Sequence, residues 1–281
     1  MNQLLVPTDF SDNAYVAASY ACQLAEKSQS TIHLLNVQTL HTNSFANVDA
    51  ALDDPLFVAA KATMSSLQSK LSAEFPGVTI KTLFRHGVLS EQIAEQTKKE
   101  SYTNIVMGTK GSSGLESILL GSNTYEVIME SETPVLAIPA KATRLKTDNI
   151  ALLCNFRPGE LEVVKQAVAI YGNNFHLKLI HINSANTEMA ALDKQFKDWI
   201  DQIIASTNLD DISYTIKDIT YFANAKESIF QGIQTILRDE DVDVILVTKS
   251  RKTFFNKIFS ENIVKSLAYD ISIPNLFAKV K

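Results

Sequence analysis

The segment MGTKGSSGLESILLGSNTYEVI, residues 107–128, decides how the rest of the chain reads. It starts at the end of the apolar run NIVMG, 104–108, which has the length of a buried strand and closes on Gly108. Gly121 and Ser122 open the helical stretch NTYEVIMES. A loop between a buried strand and a helix lies outside the carboxyl end of the sheet, where open α/β folds bind their ligands. There the backbone N–H groups of Ser122, Asn123 and Thr124 would face an anion, helped by the helix dipole. The competing reading is plain punctuation: glycine permits positive φ and close approach of backbone, so Gly108, Gly111 and Gly121 serve a tight turn equally well. From spacing alone the turn reading stands ahead, because neither G-x-x-x-x-G-K-[ST] nor G-x-G-x-x-G is present.

Outward from this loop the first half alternates strand and helix. QLLVPTD, TIHLLNVQ, VTIKTLFRHG, NIVMG and PVLAIPA read as strands. NAYVAASYACQLAEKS, residues 55–75, LSEQIAEQTKKES (with Ser90 placed to cap it) and NTYEVIMES read as helices. The second half repeats the order. NIALLCN, FHLKLIHIN, ISYTIKDI, VDVILVTK and IPNLFAKV are its strands, with helices at 160–171, 189–208, 225–239 and 261–269. Alternation of this kind predicts right-handed crossovers and parallel sheets covered on both faces. Self-similarity over half the chain predicts a duplicated domain, with boundaries 1–143 and 144–281 across the charged junction KATRLKTD.

Composition narrows the function classes. At 281 residues, with 46% hydrophobic and 20% charged side chains, each half can bury a full core. The net charge of −5 argues against a nucleic-acid partner. No run reaches the roughly 18–20 apolar residues of a membrane span, and no secretion signal opens the chain. Cys22 and Cys154 are too few for a disulfide framework and fit a reducing compartment, so the expected location is cytoplasmic. His33, His41, His86, His176 and His181 show no metal-ligand spacing, and no G-x-S-x-G elbow, Cys–His pair or CxxC marks a catalytic constellation.

Gly108, two residues, Gly111, nine residues, Gly121 and Ser122, following a fourth strand, resemble the nucleotide-binding motif of the universal stress protein family. LLVPTDFSDNA resembles that family's first strand and turn, and PVLAIPA its closing strand. The resemblance extends over nearly the whole chain as two consecutive domains. It implies an α/β fold of two Rossmann-like domains of the adenine nucleotide alpha hydrolase-like type, each a five-stranded parallel sheet of order 3-2-1-4-5 flanked by helices. It further implies that Pro7, Thr8 and Asp9 flank adenine and ribose, that Val37 meets the adenine, and that Met107 and Gly108 line the ribose side. Gly111, Gly121, Ser122 and Thr124 would receive the phosphates of ATP, or of ADP or AMP, with or without Mg. Asp9 has a competing role as an Asx turn or cap, and Lys110 reads as a solvated loop lysine.

The implied function is a stress-response protein that senses or signals through the nucleotide, with slow or no hydrolysis, an unknown signalling partner and room for homodimerisation. The alternatives are an interaction protein of the same fold without nucleotide, or a slow nucleotide hydrolase. The second copy has a degenerate motif. Aligned through TK at 109–110 and 248–249, it has Val247 for Gly108, Ser250 for Gly111, Ser260 for Gly121, Glu261 for Ser122 and Asn155 for Asp9. One nucleotide per chain is expected.

Overall fold

The structure is a computed structural model that describes residues 2–38, 55–109, 121–183, 185–218, 229–249 and 273–279. The chain divides into two compact units, Met1–Leu145 and Lys146–Lys281. In the first, β1 (Gln3–Pro7), α1 (Asp12–Ser28), β2 (Thr31–Gln38), α2 (Pro55–Glu74), β3 (Ile80–His86), α3 (Leu89–Lys99), β4 (Asn104–Gly108), α4 (Ser122–Glu130) and β5 (Val135–Ile138) follow one another. The strands pair in parallel in the order β3-β2-β1-β4-β5. The second unit contains β6 (Asn149–Leu153), α5 (Pro158–Tyr171), β7 (His176–Asn183), α6 (Met189–Thr207), β8 (Ile212–Asp218), α7 (Ile229–Asp239), β9 (Val244–Lys249) and β10 (Asn275–Lys279). Its order is β8-β7-β6-β9-β10, again parallel. Both sheets are the expected 3-2-1-4-5 arrangement. The helix expected at 261–269 lies outside the described residues, as does the start of the one expected at 225–239.

The central strands carry near-continuous apolar runs because both faces are covered. Leu4, Leu5 and Val6 of β1, Ile105 and Val106 of β4 and Ile150, Ala151 and Leu152 of β6 are all buried. α1 meets the first sheet through Ala14, Ala17, Ala18, Ala21 and Ala25, small side chains that let helix and sheet backbones approach closely. The Ser11 hydroxyl caps it by accepting from Ala14 N, and Gln29 ends it in the left-handed region. The cap expected at Ser90 is not one: α3 starts at Leu89 after Val88, and Ser90 Oγ donates instead to Glu126 Oε1 of α4 at 2.6 Å. His33 is packed, with Nδ1 2.7 Å from the Tyr102 hydroxyl. Among the described residues no helix is long and apolar enough to cross a membrane.

Backbone hydrogen bonds match the two units residue by residue. Thr8 N donates to Leu35 O at 2.8 Å, and Cys154 N to Ile180 O at 2.8 Å. Thr103 N donates to Gln3 O as Asp243 N does to Asn149 O, and Ile105 N to Pro134 O as Ile245 N does to Pro274 O. This ladder sets Asp9 against Asn155, as expected, but Asn104 against Val244 and therefore Gly108 against Thr248. The alignment through TK, which gave Val247, is one residue out of step. The dipeptide misleads because Thr109 lies beyond β4, whereas Thr248 and Lys249 are still inside β9. In a strand that slip exchanges the two faces.

The two cysteines are core side chains. Burial pushes the Cys22 thiol up to about 12, with Glu26 and Glu74 adding to it, and burial raises Cys154 as well. The thiolate is the reactive form. Iodoacetamide at pH 8 should therefore modify neither cysteine in the native protein and both after denaturation in urea, which intact-mass measurement reads directly; modification of the native protein would overturn this account.

Candidate functional site at the carboxyl edge of the first sheet

The carboxyl ends of β1, β2 and β4 are neighbours, since β1 pairs with both others. Pro7, Thr8 and Asp9 thus come together with Val37, Met107 and Gly108. Pro7, Thr8, Met107 and Gly108 are buried, Val37 is half-buried, and Asp9 is exposed. Thr8 Oγ1 accepts from Phe10 N at 3.1 Å, and Asp9 Oδ1 accepts from Ser11 N at 3.1 Å and Ser11 Oγ at 2.6 Å. Asp9 therefore forms the Asx turn weighed for it. The turn holds Phe10 at φ 65°, a left-handed conformation rare for a residue with a side chain.

α4 is seated on the end of β4. Gly121 N donates to Thr109 O at 2.8 Å, and Thr124 Oγ1 donates to Gly108 O at 2.9 Å. The Thr124 hydroxyl proton is thus committed to the strand-to-helix turn, and its backbone N–H is the group that can face a ligand. Gly121 is the N-cap, and among the described residues no side chain caps the helix. Ser122 and Asn123 in the first turn are exposed. Helix geometry gives these first N–H groups no partner inside the helix, and the dipole makes the end attractive to an anion. The loop glycine Gly111 lies outside the described residues, as do Lys110 and, in the second copy, Ser250, Ser260 and Glu261.

Gly108 has a reason of its own. A Cβ there would lie 3.0 Å from Asn13 Cγ, Oδ1 and backbone O, so the missing side chain is what admits the first turn of α1. Asn13 fills that space and donates from Nδ2 to Ile138 O at 3.1 Å, tying α1 to β5. Asn36 Nδ2 donates to Thr8 O at 2.8 Å and fixes the turn from the β2 side. Sequence reasoning missed both asparagines. A polar residue inside the apolar run TIHLLNVQ was the available signal for Asn36; Asn13 looked like one more turn-former.

The second unit keeps this framework with other side chains. Phe156 takes the left-handed position at φ 58°. His181 takes the place of Asn36, with Nδ1 2.8 Å from Cys154 O, the carbonyl equivalent to Thr8 O. The Phe156 ring lies 5.3 Å from His181, 4.7 Å from Phe196 and 6.4 Å from Trp199, centroid to centroid. Phe156 is the counterpart of Phe10, and in the second unit its ring packs on His181 and on the Phe196 and Trp199 rings of α6. Glu160, 1% exposed, accepts from Asn155 N with Oε1 at 3.0 Å and Oε2 at 2.9 Å, and from Arg157 N at 3.4 Å. The turn's own N–H groups are held by an internal carboxylate.

A model of the universal stress protein family matches residues 1–139, the first unit. A universal stress protein of Methanocaldococcus jannaschii is 32% identical over 139 residues, 48% of this chain and 81% of that protein. The chain belongs to the universal stress protein family. A second universal stress protein, from Bacillus subtilis, is 28% identical over 145 residues, 49% of this chain and 98% of that one. Across both units the fold matches the crystal structure of a universal stress protein from Archaeoglobus fulgidus, with a TM-score of 0.74, 18% identity and coverage of 99% of this chain and 98% of that chain.

Burial pushes the Glu160 carboxyl up from 4.5 to about 6, against the pull of the two backbone N–H groups. Between those values the native state holds a proton that the unfolded chain has released, so the stability this proton confers is complete below about pH 4.5 and is lost as pH rises through about 6. The shift corresponds to about 2 kcal/mol. Urea unfolding followed at Trp199, the single tryptophan, reports the second unit. Going from pH 7 to 4.5 should raise the stability of the wild type by about 2 kcal/mol relative to Glu160→Gln; equal pH dependence of the two would refute the assignment.

Proposed function

We propose that the first unit binds one adenine nucleotide per chain, ATP or its relatives ADP and AMP, and that the protein senses or signals through that occupancy with little turnover. The observation that carries this is the seating of the uncapped α4 N-terminus on the end of β4, beside an exposed Asp9 at the adjoining strand end. The arrangement fits the ligand chemically: the helix end supplies N–H donors for phosphate, the Asp9 carboxylate can accept from ribose hydroxyls, and Val37 offers apolar surface for a base. Pro7, Thr8, Met107 and Gly108 form the floor, and Gly111, Gly121, Ser122, Asn123 and Thr124 are the residues to hold phosphate, with Mg balancing its charge. Family membership supports the reading through the motif at Gly108, Gly111, Gly121 and Ser122. The second unit takes no nucleotide on this reading, because Asn155 stands in the place of Asp9 and the buried Glu160 carboxylate holds the N–H groups of the same turn. Domain boundaries of 1–143 and 144–281, and work in a reducing cytoplasm, belong to the same proposal.

Gly121 has φ −59°, which any residue adopts, and aspartate is a favoured N-cap. Gly121→Asp therefore keeps the helix while placing a negative charge against the phosphates. Calorimetry with ATP and magnesium should give one site per chain in the wild type and at least about tenfold weaker binding in Gly121→Asp, the loss of a charge-assisted contact being worth roughly 1.5–3 kcal/mol. No binding to the wild type, two equivalent sites, or unchanged affinity in the variant would each defeat the proposal.

A further inference from the structure

At the amino ends of β7 and β8 in the second unit, at the opposite edge of its sheet, three side chains stand in a hydrogen-bonded line. His176, the first residue of β7, has Nδ1 2.6 Å from Asp211 Oδ1 and Nε2 2.7 Å from Ser213 Oγ. The strand register pairs Leu177 with Ile212 and Lys178 with Ser213. Asp211 and Ser213, two residues apart, lie on one face. Tyr214 between Ser213 and Thr215 turns the other way and stacks on Phe196 of α6 at 4.3 Å. The line therefore occupies the face of β8 turned away from α6.

The chemistry of the groups fixes the direction of the bonds. An ionised carboxylate only accepts, so Nδ1 of the neutral ring carries the hydrogen and Nε2 keeps its lone pair. Ser213 Oγ–H must then donate to Nε2. This Ser-to-His-to-Asp polarity is what turns a weak hydroxyl into a nucleophile. The serine is exposed, and the side chains of His176 and Asp211 are 26% and 69% exposed, so reagents can reach the oxygen. On the neighbouring rung, Lys178 is anchored by Nζ bonds to Glu240 O at 2.7 Å and Oε2 at 3.1 Å. The Glu240 carboxylate balances its charge, so this ion pair holds the neighbouring rung in place and adds no net charge beside Ser213.

We infer that Ser213 is a nucleophile activated by His176 and Asp211 that hydrolyses small, unhindered acyl esters. Ser213 Oγ bonds to the ester carbonyl carbon while its proton passes to His176 Nε2. The carbon–oxygen bond to the alcohol breaks, and the alcohol leaves with that proton. Water then attacks the acyl-serine, His176 takes its proton and returns it to Ser213 Oγ, and the carboxylic acid is released. Asp211 is the positioning residue that fixes the tautomer. This activity is independent of nucleotide binding by the first unit.

The test uses the full chain. A fluorophosphonate probe should add one phosphonyl group that peptide mapping places on Ser213, and p-nitrophenyl acetate should be hydrolysed by the wild type. In His176→Gln both rates should fall about 10²-fold or more, the usual worth of a general base, and Ser213→Ala should lose the adduct. Trp199 emission checks that each variant is folded, and labelling of the wild type needs no variant. No adduct on Ser213, or equal labelling in wild type and His176→Gln, would reduce the line to a structural hydrogen-bond chain and overturn the inference.

Discussion

The first unit hinges on the close meeting of α1 with the end of β4. Gly108 has no side chain, so the Asn13 backbone and amide can sit where a Cβ would be, 3.0 Å away. That approach sets where α1 begins, hence where the β1 turn delivers Asp9, and the bond from Asn13 Nδ2 to Ile138 O carries the constraint across to β5. Gly108 and Gly121 are therefore glycines for different reasons. Gly108 is a packing glycine, whatever else lies beside it. Gly121 has an ordinary extended φ, and a glycine there gives α4 no side-chain cap.

The two units use one ladder of backbone bonds for different ends. The first closes its β1 turn with short side chains, Asp9 on Ser11 and Ser11 on Ala14, and keeps the carboxylate at the surface. The second closes the same turn with a buried carboxylate from α5, and its Phe156 packs on Phe196 of α6. Burying Glu160 costs desolvation, which its backbone N–H partners only partly offset. Two sheet edges with one strand order can therefore differ in what they could bind, since function resides in the side chains at the strand ends and not in the topology.

The fold was legible because it is written in long patterns: apolar runs for strands buried on both faces, and three- and four-residue spacing for helices, as in the alanines of α1. The candidate site was legible in part. Asp9, Val37 and Gly108 fall at strand ends, where topology collects ligand-binding residues. What escaped depends on contacts across the fold. Ser90 looked like a cap, yet its hydroxyl answers Glu126, 36 positions away in the chain. His176, Asp211 and Ser213 carry no spacing signature, because the serine and histidine meet only through strand pairing across 37 positions. The pairing of Gly108 with Val247 failed because a shared dipeptide is a weaker guide than hydrogen-bond register.

That register exposes a compensation between the halves. The position of Gly108 carries Thr248 in the second unit, and the position of Asn13, the second residue of α1, carries Gly159, the second residue of α5. Small strand residue with large helix residue has become large strand residue with small helix residue. In the first half the fit is tight, since a side chain at position 108 would meet Asn13 atoms 3.0 Å from its Cβ, so a strand with threonine there could not replace β4 without displacing Asn13. The two strands are therefore not interchangeable, although they hold the same place in the same strand order.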